Sequence, residues 1–311
     1  MFEGARHVLV ACSGGPDSQV LLSVLHALAS QAGHTLSVAA VDHGLRAEAA
    51  DELSLARKLA TQLGLPFVLL SVTVPRRASR QGAARQARYA ALLACARELG
   101  ADRIAVGHTL DDQAETVLAR ILRGASVEGL AAVSPRRADG VVRPLIDCRR
   151  ALVHAYAAEL GLEIARDPSN LDPRFLRVRV RQRLLPALLE ENAQLPEHLA
   201  HLADDAREAA ALLHERAAAA LAAAQGSAAR LRAEPGLVRR RALKLLVEAE
   251  ARTSLTRAHL QALDRMLGLG GHVRVPGDLL VSLNEEGLIS FSRVAKRGRG
   301  SKRPMEESGD P

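Results

Sequence analysis

Tryptophan is absent from the 311 residues, and aromatics make up only 2% of them. So thin an aromatic content excludes an extended platform for stacking nucleobases. Cysteine is equally scarce. Cys12, Cys95 and Cys148 stand far apart with no C-x-x-C pair, which excludes a zinc ribbon or a redox dithiol. All three sit in apolar settings and read as small core residues. No run approaches the ~18 uninterrupted apolar residues of a membrane span. The first residues lack the basic and apolar regions of a signal peptide, so a cytoplasmic protein is expected. Three familiar signatures are missing as well. The loop after the first apolar run has no G-x-x-x-x-G-K-[ST] lysine and no G-x-G-x-x-G. Ala11 stands where a G-x-S-x-G elbow around Ser13 would need glycine.

What remains is a globular composition. Apolar residues make up 48%, and the length suits two domains. Lys and Arg number 42 against 35 Asp and Glu, a net charge of +7. Such a surplus favours a polyanionic partner, and arginine suits bidentate phosphate contacts. Ordinary solvated basic faces would produce the same total, so charge alone does not choose.

Short apolar runs at 8–12, 36–41, 66–71 and 103–107 read as buried strands. Helix-length stretches at 17–32, 47–63, 80–99 and 111–123 lie between and after them. This rhythm predicts a Rossmann-like α/β fold, a parallel sheet with helices on both faces. In the helix at 111–123, Ala114, Val117, Leu118, Ile121 and Leu122 form the expected buried stripe. Further helices are expected at 149–161, 197–225, 237–250 and 256–267. The stretch "HVRVPGDLLVSLNEEGLISFSR" alternates between turn signals and predicts a small antiparallel hairpin unit. Four regions follow: an α/β domain over 1–186, a helical linker region over 187–230, a small C-terminal α+β domain over 231–294, and a disordered tail over 295–311.

The most informative stretch is "VLVACSGGPDSQVLL" at 8–22. A strand that ends in Ser13-Gly14-Gly15-Pro16-Asp17-Ser18 and leads into a helix is built for an anion. Glycines admit close backbone approach, helix-start N–H groups favour phosphate, and the hydroxyls add donors. Asp17 could hold Mg²⁺, which takes carboxylate and phosphate oxygens together. A tight turn without a ligand would not need all these side chains.

This S-G-G-x-D-S motif resembles the signature of the PP-loop (N-type) ATP pyrophosphatases, which cut ATP between its α and β phosphates. Other segments narrow the resemblance: "VDHGLR" at 41–46, "AARQARYAALL" at 83–93, "GHTLDDQAETVLARILRG" at 107–124, "RPLI" at 143–146 and "DPSNLDPRFLRVRVRQRLLP" at 167–186. Together they are similar to the tRNA(Ile)-lysidine synthase family over residues 8–186, and more weakly in the C-terminal piece. The resemblance implies ATP as substrate, with Mg²⁺. Free L-lysine and tRNA(Ile) with a CAU anticodon are the implied partners, and no membrane. A homodimer is compatible with it.

The resemblance also implies roles. Ser13, Gly14, Gly15, Pro16, Asp17 and Ser18 would cradle ATP, with Asp42, His43 and Arg85 beside it. Asp112 and Glu115 share a helix face and would grip the lysine ammonium, with Asp111 as a less certain third. Asp17, Arg88, His108 and Asp112 would be catalytic, and Arg85 with Arg88 would meet phosphates. Arg174, Arg177, Arg179 and Arg181 would contact tRNA, as would the small C-terminal domain over 231–294, and 1–186 would be the catalytic domain. Plainer roles compete: helix-start acids serve caps, above all Asp111, and arginine runs are often solvated. The chain departs from the family at Val178, where asparagine is usual. A thiolating relative, or a non-catalytic RNA-binding protein on the same scaffold, are the rival classes.

Overall fold

Strand and helix alternate through the first half as the apolar period demands. The computed structural model describes residues 1–42, 49–73, 80–164 and 172–294. They divide into two compact units, one over Met1–Arg207 and the other from Glu208. The division falls inside one long helix.

The first unit holds β1 (His7–Ala11), α1 (Pro16–Ala32), β2 (Thr35–Asp42), α2 (Ala49–Gln62), β3 (Phe67–Ser71), α3 (Arg80–Glu98), β4 (Arg103–Val106), α4 (Leu110–Ile121), α5 (Val127–Leu130), β5 (Val141–Val142) and α6 (Arg150–Glu159). The strands form one parallel sheet in the order β3-β2-β1-β4-β5. Side chains of β1 alternate between its faces, as a strand requires. Val8 and Val10 join the core beneath α1, α2 and α6, while Leu9 packs with Leu92, Cys95 and Ile104 under α3. Each such buried aliphatic contributes about 1.5–3 kcal/mol. The strand order reverses between β1 and β4, and the crevice beyond their C-terminal ends is where an open α/β sheet receives ligands.

After α6 come α7 (Leu176–Arg179), a π-helical turn at Val180–Leu184, α8 (Leu185–Glu191) and α9 (Leu195–Ala224). The Leu185 N–H bonds to the Val180 carbonyl, and Pro186, which has no N–H to give, follows directly. Ala114 and Val117 of α4 pack against Leu185, Leu199 and Ala203. The expected α4 stripe is only half buried: Ile121 and Leu122, at the helix end, are exposed.

The second unit adds α10 (Ala228–Ala233), α11 (Gly236–Ala251) and α12 (Arg257–Leu269) to the rest of α9. It closes with β6 (His272–Val275), β7 (Leu279–Leu283) and β8 (Ile289–Arg293). The hairpin unit is a three-stranded antiparallel meander. Leu243, Leu263 and Val281 centre its core. The tail at 295–311 lies outside the described residues.

Candidate active site

The loop between β1 and α1 is held by its own side chains. Ser18 Oγ accepts the Ser13 N–H at 3.1 Å and donates to the Gly15 carbonyl at 2.9 Å; Ser13 Oγ stands 3.3 Å away. Gln19 donates from below to the carbonyls of Gly14, at 2.6 Å, and Glu163, at 2.8 Å. Gly15 caps the helix and Pro16 starts it, where a missing N–H costs nothing. The N–H groups of Asp17 and Ser18 lie in the first turn, where no intrahelical acceptor exists, so they suit an anion. Gly14 has φ +81°, and a Cβ there would lie 2.0 Å from the Glu52 carbonyl oxygen. Gly14→Ala is therefore expected to cost at least about 1–3 kcal/mol from the backbone conformation alone, with the clash in addition. Thermal unfolding would check this, and an unchanged midpoint would refute it.

Asp17 points into the same crevice. Burial raises its carboxyl, with Arg150 pulling it down and Asp112 pushing it up. His154 Nε2 stands 3.4 Å from Asp17 Oδ1 but out of line, so that buried oxygen has no hydrogen bond. An anionic oxygen left without a donor is what a divalent cation needs. Gly107, after β4, lies so close that a Cβ there would sit 2.8 Å from the Asp17 carbonyl oxygen.

The acid box opens α4. Thr109 and Asp112 form a capping box: the Thr109 N–H donates to Asp112 Oδ2 at 2.9 Å, and the Asp112 N–H returns to Thr109 Oγ1 at 3.4 Å. The cap uses one oxygen of Asp112. The other, Oδ1, accepts from Arg177 at 2.6 Å, Arg150 at 2.8 Å and Arg181 at 3.3 Å. Glu115 is fully buried and accepts from the same three arginines, at 2.8 Å from Arg150, 3.0 Å from Arg177 and 2.6 Å from Arg181. Burial alone would raise both carboxyls. The guanidiniums outweigh it, holding Asp112 near 2 and Glu115 below its ordinary range. Arg150 also reaches within 4.0 Å of Asp17.

His108 lies in the loop between β4 and α4, and Arg143 donates to its Nδ1 at 3.3 Å. Burial drives the imidazole down to about 3, with Asp112 opposing and Arg143, Arg85 and Arg88 adding to the fall. At neutral pH the ring is uncharged. Arg85 and Arg88 stack over Tyr89, their guanidinium carbons 5.1 and 5.3 Å from the ring centre.

The structure thus gathers the Ser13–Ser18 loop, His108, Asp112 and Glu115 at one edge of the sheet. Arg177 and Arg181, expected at tRNA, turn inward onto the acid pair. Arg174 instead pairs with Asp172, and Arg179 donates to the carbonyls of Pro173 and Arg174. Asp111 accepts the N–H of Arg150 at 2.6 Å and so holds the start of α6 rather than facing the pair. Asp42 ends β2, and His43 and residues 167–171 lie outside the described residues. Val178, at the family's asparagine position, is buried. Arg143, Arg150 and His154 were not foreseen. "RPLI" drew attention to Arg143, but nothing local marks Arg150 among the many arginines.

A family model described as a PP-loop domain matches residues 2–188. The chain belongs to the PP-loop family. This PP-loop protein is 44% identical over 214 residues to the tRNA(Ile)-lysidine synthase of Solibacter usitatus, an alignment covering 68% of this chain and 48% of that protein. To the tRNA(Ile)-lysidine synthase of Rhodopseudomonas palustris it is 43% identical over 218 residues, covering 68% and 62%. The chain therefore spans about half to three-fifths of the length of these curated relatives. Among solved structures, the U34-tRNA thiolase of Methanococcus maripaludis superposes with a TM-score of 0.56 at 21% identity, over 64% of this chain and 72% of that one. That likeness shows the shared fold. Every residue of the crevice described above falls inside the matched PP-loop segment.

Proposed function

We propose that this protein is a tRNA(Ile)-lysidine synthase: it joins free L-lysine to C2 of the wobble cytidine of tRNA(Ile) with a CAU anticodon. ATP is consumed through an adenylated tRNA, and AMP and pyrophosphate are released. One observation carries the reading. The Arg150 guanidinium touches Asp17, Asp112 and Glu115 together, which makes the phosphate loop and the acid pair one site. The similarity to tRNA(Ile)-lysidine synthases supports the same activity. A cytoplasmic setting is part of the proposal, and no helix among the described residues is long and apolar enough to cross a membrane.

On this reading the α1 N-terminus, Ser13 and Ser18 hold the phosphates of ATP. Asp17 Oδ1 would hold Mg²⁺, which would offset phosphate charge during attack. The C2 oxygen of cytidine attacks the α phosphate and pyrophosphate leaves. The lysine side-chain amine then attacks C2 and AMP departs. Three carboxylates, Asp17, Asp112 and Glu115, already face three guanidiniums, so an ammonium enters only as an arginine gives way. Arg177 and Arg181, with side chains 42% and 34% exposed, are freer to leave than Arg150 at 18%. Their departure toward tRNA phosphates would raise both carboxyls and leave one of them fit to take the ammonium proton.

The test is incubation with ATP, lysine and tRNA(Ile), followed by mass analysis of the anticodon nucleosides. Lysidine with AMP and pyrophosphate is expected. A sulfur-containing nucleoside would assign the protein to thiolation, and RNA binding without AMP would make it a binding protein. Cys12 and Cys95 are buried in separate cores on opposite sheet faces, which supports lysidine over sulfur transfer. Affinity for tRNA is expected to fall steeply with salt, and replacing Arg174 and Arg179 by alanine should flatten that slope. An unchanged slope would place these two arginines on a merely solvated face.

A further inference from the structure

His108 is half-buried, and its Nδ1 faces the Nε–H of Arg143 at 3.3 Å. A guanidinium has only donors to offer, so the nitrogen opposite it must present a lone pair. The single proton of the neutral ring then sits on Nε2. Arg143 cannot readily swing away. It is 2% exposed, the largest fully buried side chain among the described residues. Its other arms donate to the Ser134 carbonyl and, at 3.4 Å, to Tyr89 Oη. Tyr89 is itself packed between guanidiniums, with Arg137 at 4.7 Å from its ring centre beside Arg85 and Arg88. The charged groups that act most strongly on His108 are the Asp112 carboxylate and the guanidiniums of Arg143, Arg85 and Arg88. Asp112 does not compete for the ring proton, because both its oxygens are already engaged by Thr109 and the arginines.

We propose that Arg143 is a positioning residue that locks His108 as the neutral Nε2–H tautomer, so that His108 acts in adenylation as a fixed hydrogen-bond donor and not as a general acid or base. The tautomer follows from the Arg143 contact. That Nε2–H serves an oxygen of the reacting α phosphate rests on the function proposed above. A neutral donor needs no proton to return between turnovers, and its strength does not vary across physiological pH. Arg143 acts through His108 and touches no substrate itself.

The decisive measurement is a long-range ¹H–¹⁵N correlation spectrum of the wild-type imidazoles between pH 6 and 8, with His108 assigned by its loss in His108→Gln. An unprotonated Nδ1 and a protonated Nε2, unchanged over that range, are expected. A protonated Nδ1, or conversion to imidazolium near pH 6.5, would overturn the inference. In Arg143→Met, His108 should show mixed tautomers, and adenylation should acquire a pH limb near neutrality. Should that variant misfold, a second pair decides. The amide of Gln reaches the place of Nε2 and that of Asn the place of Nδ1, so His108→Gln should form adenylated tRNA at least ten times faster than His108→Asn. The reverse order would refute a donor at Nε2. If the wild-type spectrum is as expected but ATP yields no adenylated tRNA, the tautomer lock stands and the lysidine synthase reading falls. If adenylation proceeds with the opposite tautomer, only the lock falls.

Discussion

Glu115→Gln is expected to lose about 3 kcal/mol of stability in the first unit and to form lysidine only at high lysine. Glu115 has no exposed surface and accepts from Arg150, Arg177 and Arg181. Removing one partner of a buried ion pair costs roughly 3–5 kcal/mol. The lower end applies because Arg177 and Arg181 can turn toward water and Gln keeps an acceptor oxygen. Urea unfolding at pH 7 measures it. The acid limb should change too. Asp112 and Glu115 both have native pKa values below their unfolded ones, so the stability they add is present above about pH 4 and is lost as pH falls toward 2. In the variant that loss should be smaller. Adenylation needs no lysine and should largely survive, while the KM for lysine rises at least tenfold and high lysine restores part of the rate. Asp112→Asn should recover less if Asp112 also takes the ammonium proton, and it forfeits half of the capping box besides. Blocked adenylation with normal lysine affinity in Glu115→Gln would instead assign the acid pair to ATP or Mg²⁺.

Asp17→Asn is expected to raise the melting temperature while removing most ATP turnover. Burial raises the Asp17 carboxyl, and its Oδ1 lacks a hydrogen bond. A raised acid binds its proton more tightly folded than unfolded. Its charge therefore opposes folding above the native pKa and ceases to do so below the unfolded value near 3.9. Asparagine removes that charge, and Arg150 keeps Asp112 and Glu115 as partners. The gain should thus be largest at pH 7 and vanish as pH falls toward 4. AMP formation should drop about a hundredfold or more, the scale of losing one preorganised electrostatic contact to a transition state. Stability traded for function in this way marks a site built for a ligand. A destabilised variant, or one with wild-type AMP release, would contradict the assignment.

Strands β1, β2 and β4 were legible because burial on both faces leaves near-continuous apolar runs, and their helices because an apolar stripe recurs every turn; β3 was legible as a run but, at the sheet edge, is not the buried strand expected, since no residue in it is fully covered. The Ser13–Ser18 loop and the spacing of Asp112 and Glu115 were legible for a related reason: each lies within one turn of chain. Short elements were not. Two residues of β5 and four of α5 carry no period, and the exposed Ile121 and Leu122 obey the helical stripe without being covered.

The partners of the charges were decided only by the fold. Arg174, Arg177, Arg179 and Arg181 look alike in sequence, yet Arg177 and Arg181 share a helical face that meets Glu115, more than sixty positions earlier, while Arg174 and Arg179 do not. Arg150 and Arg143 became site residues in the same way, through contacts with Asp112 and His108 across 38 and 35 positions. Local patterns follow from torsions and side-chain periods along a few residues. A guanidinium's role depends on which carboxylate or ring nitrogen packing brings within hydrogen-bond distance of it, and that distance exists only once the chain has folded.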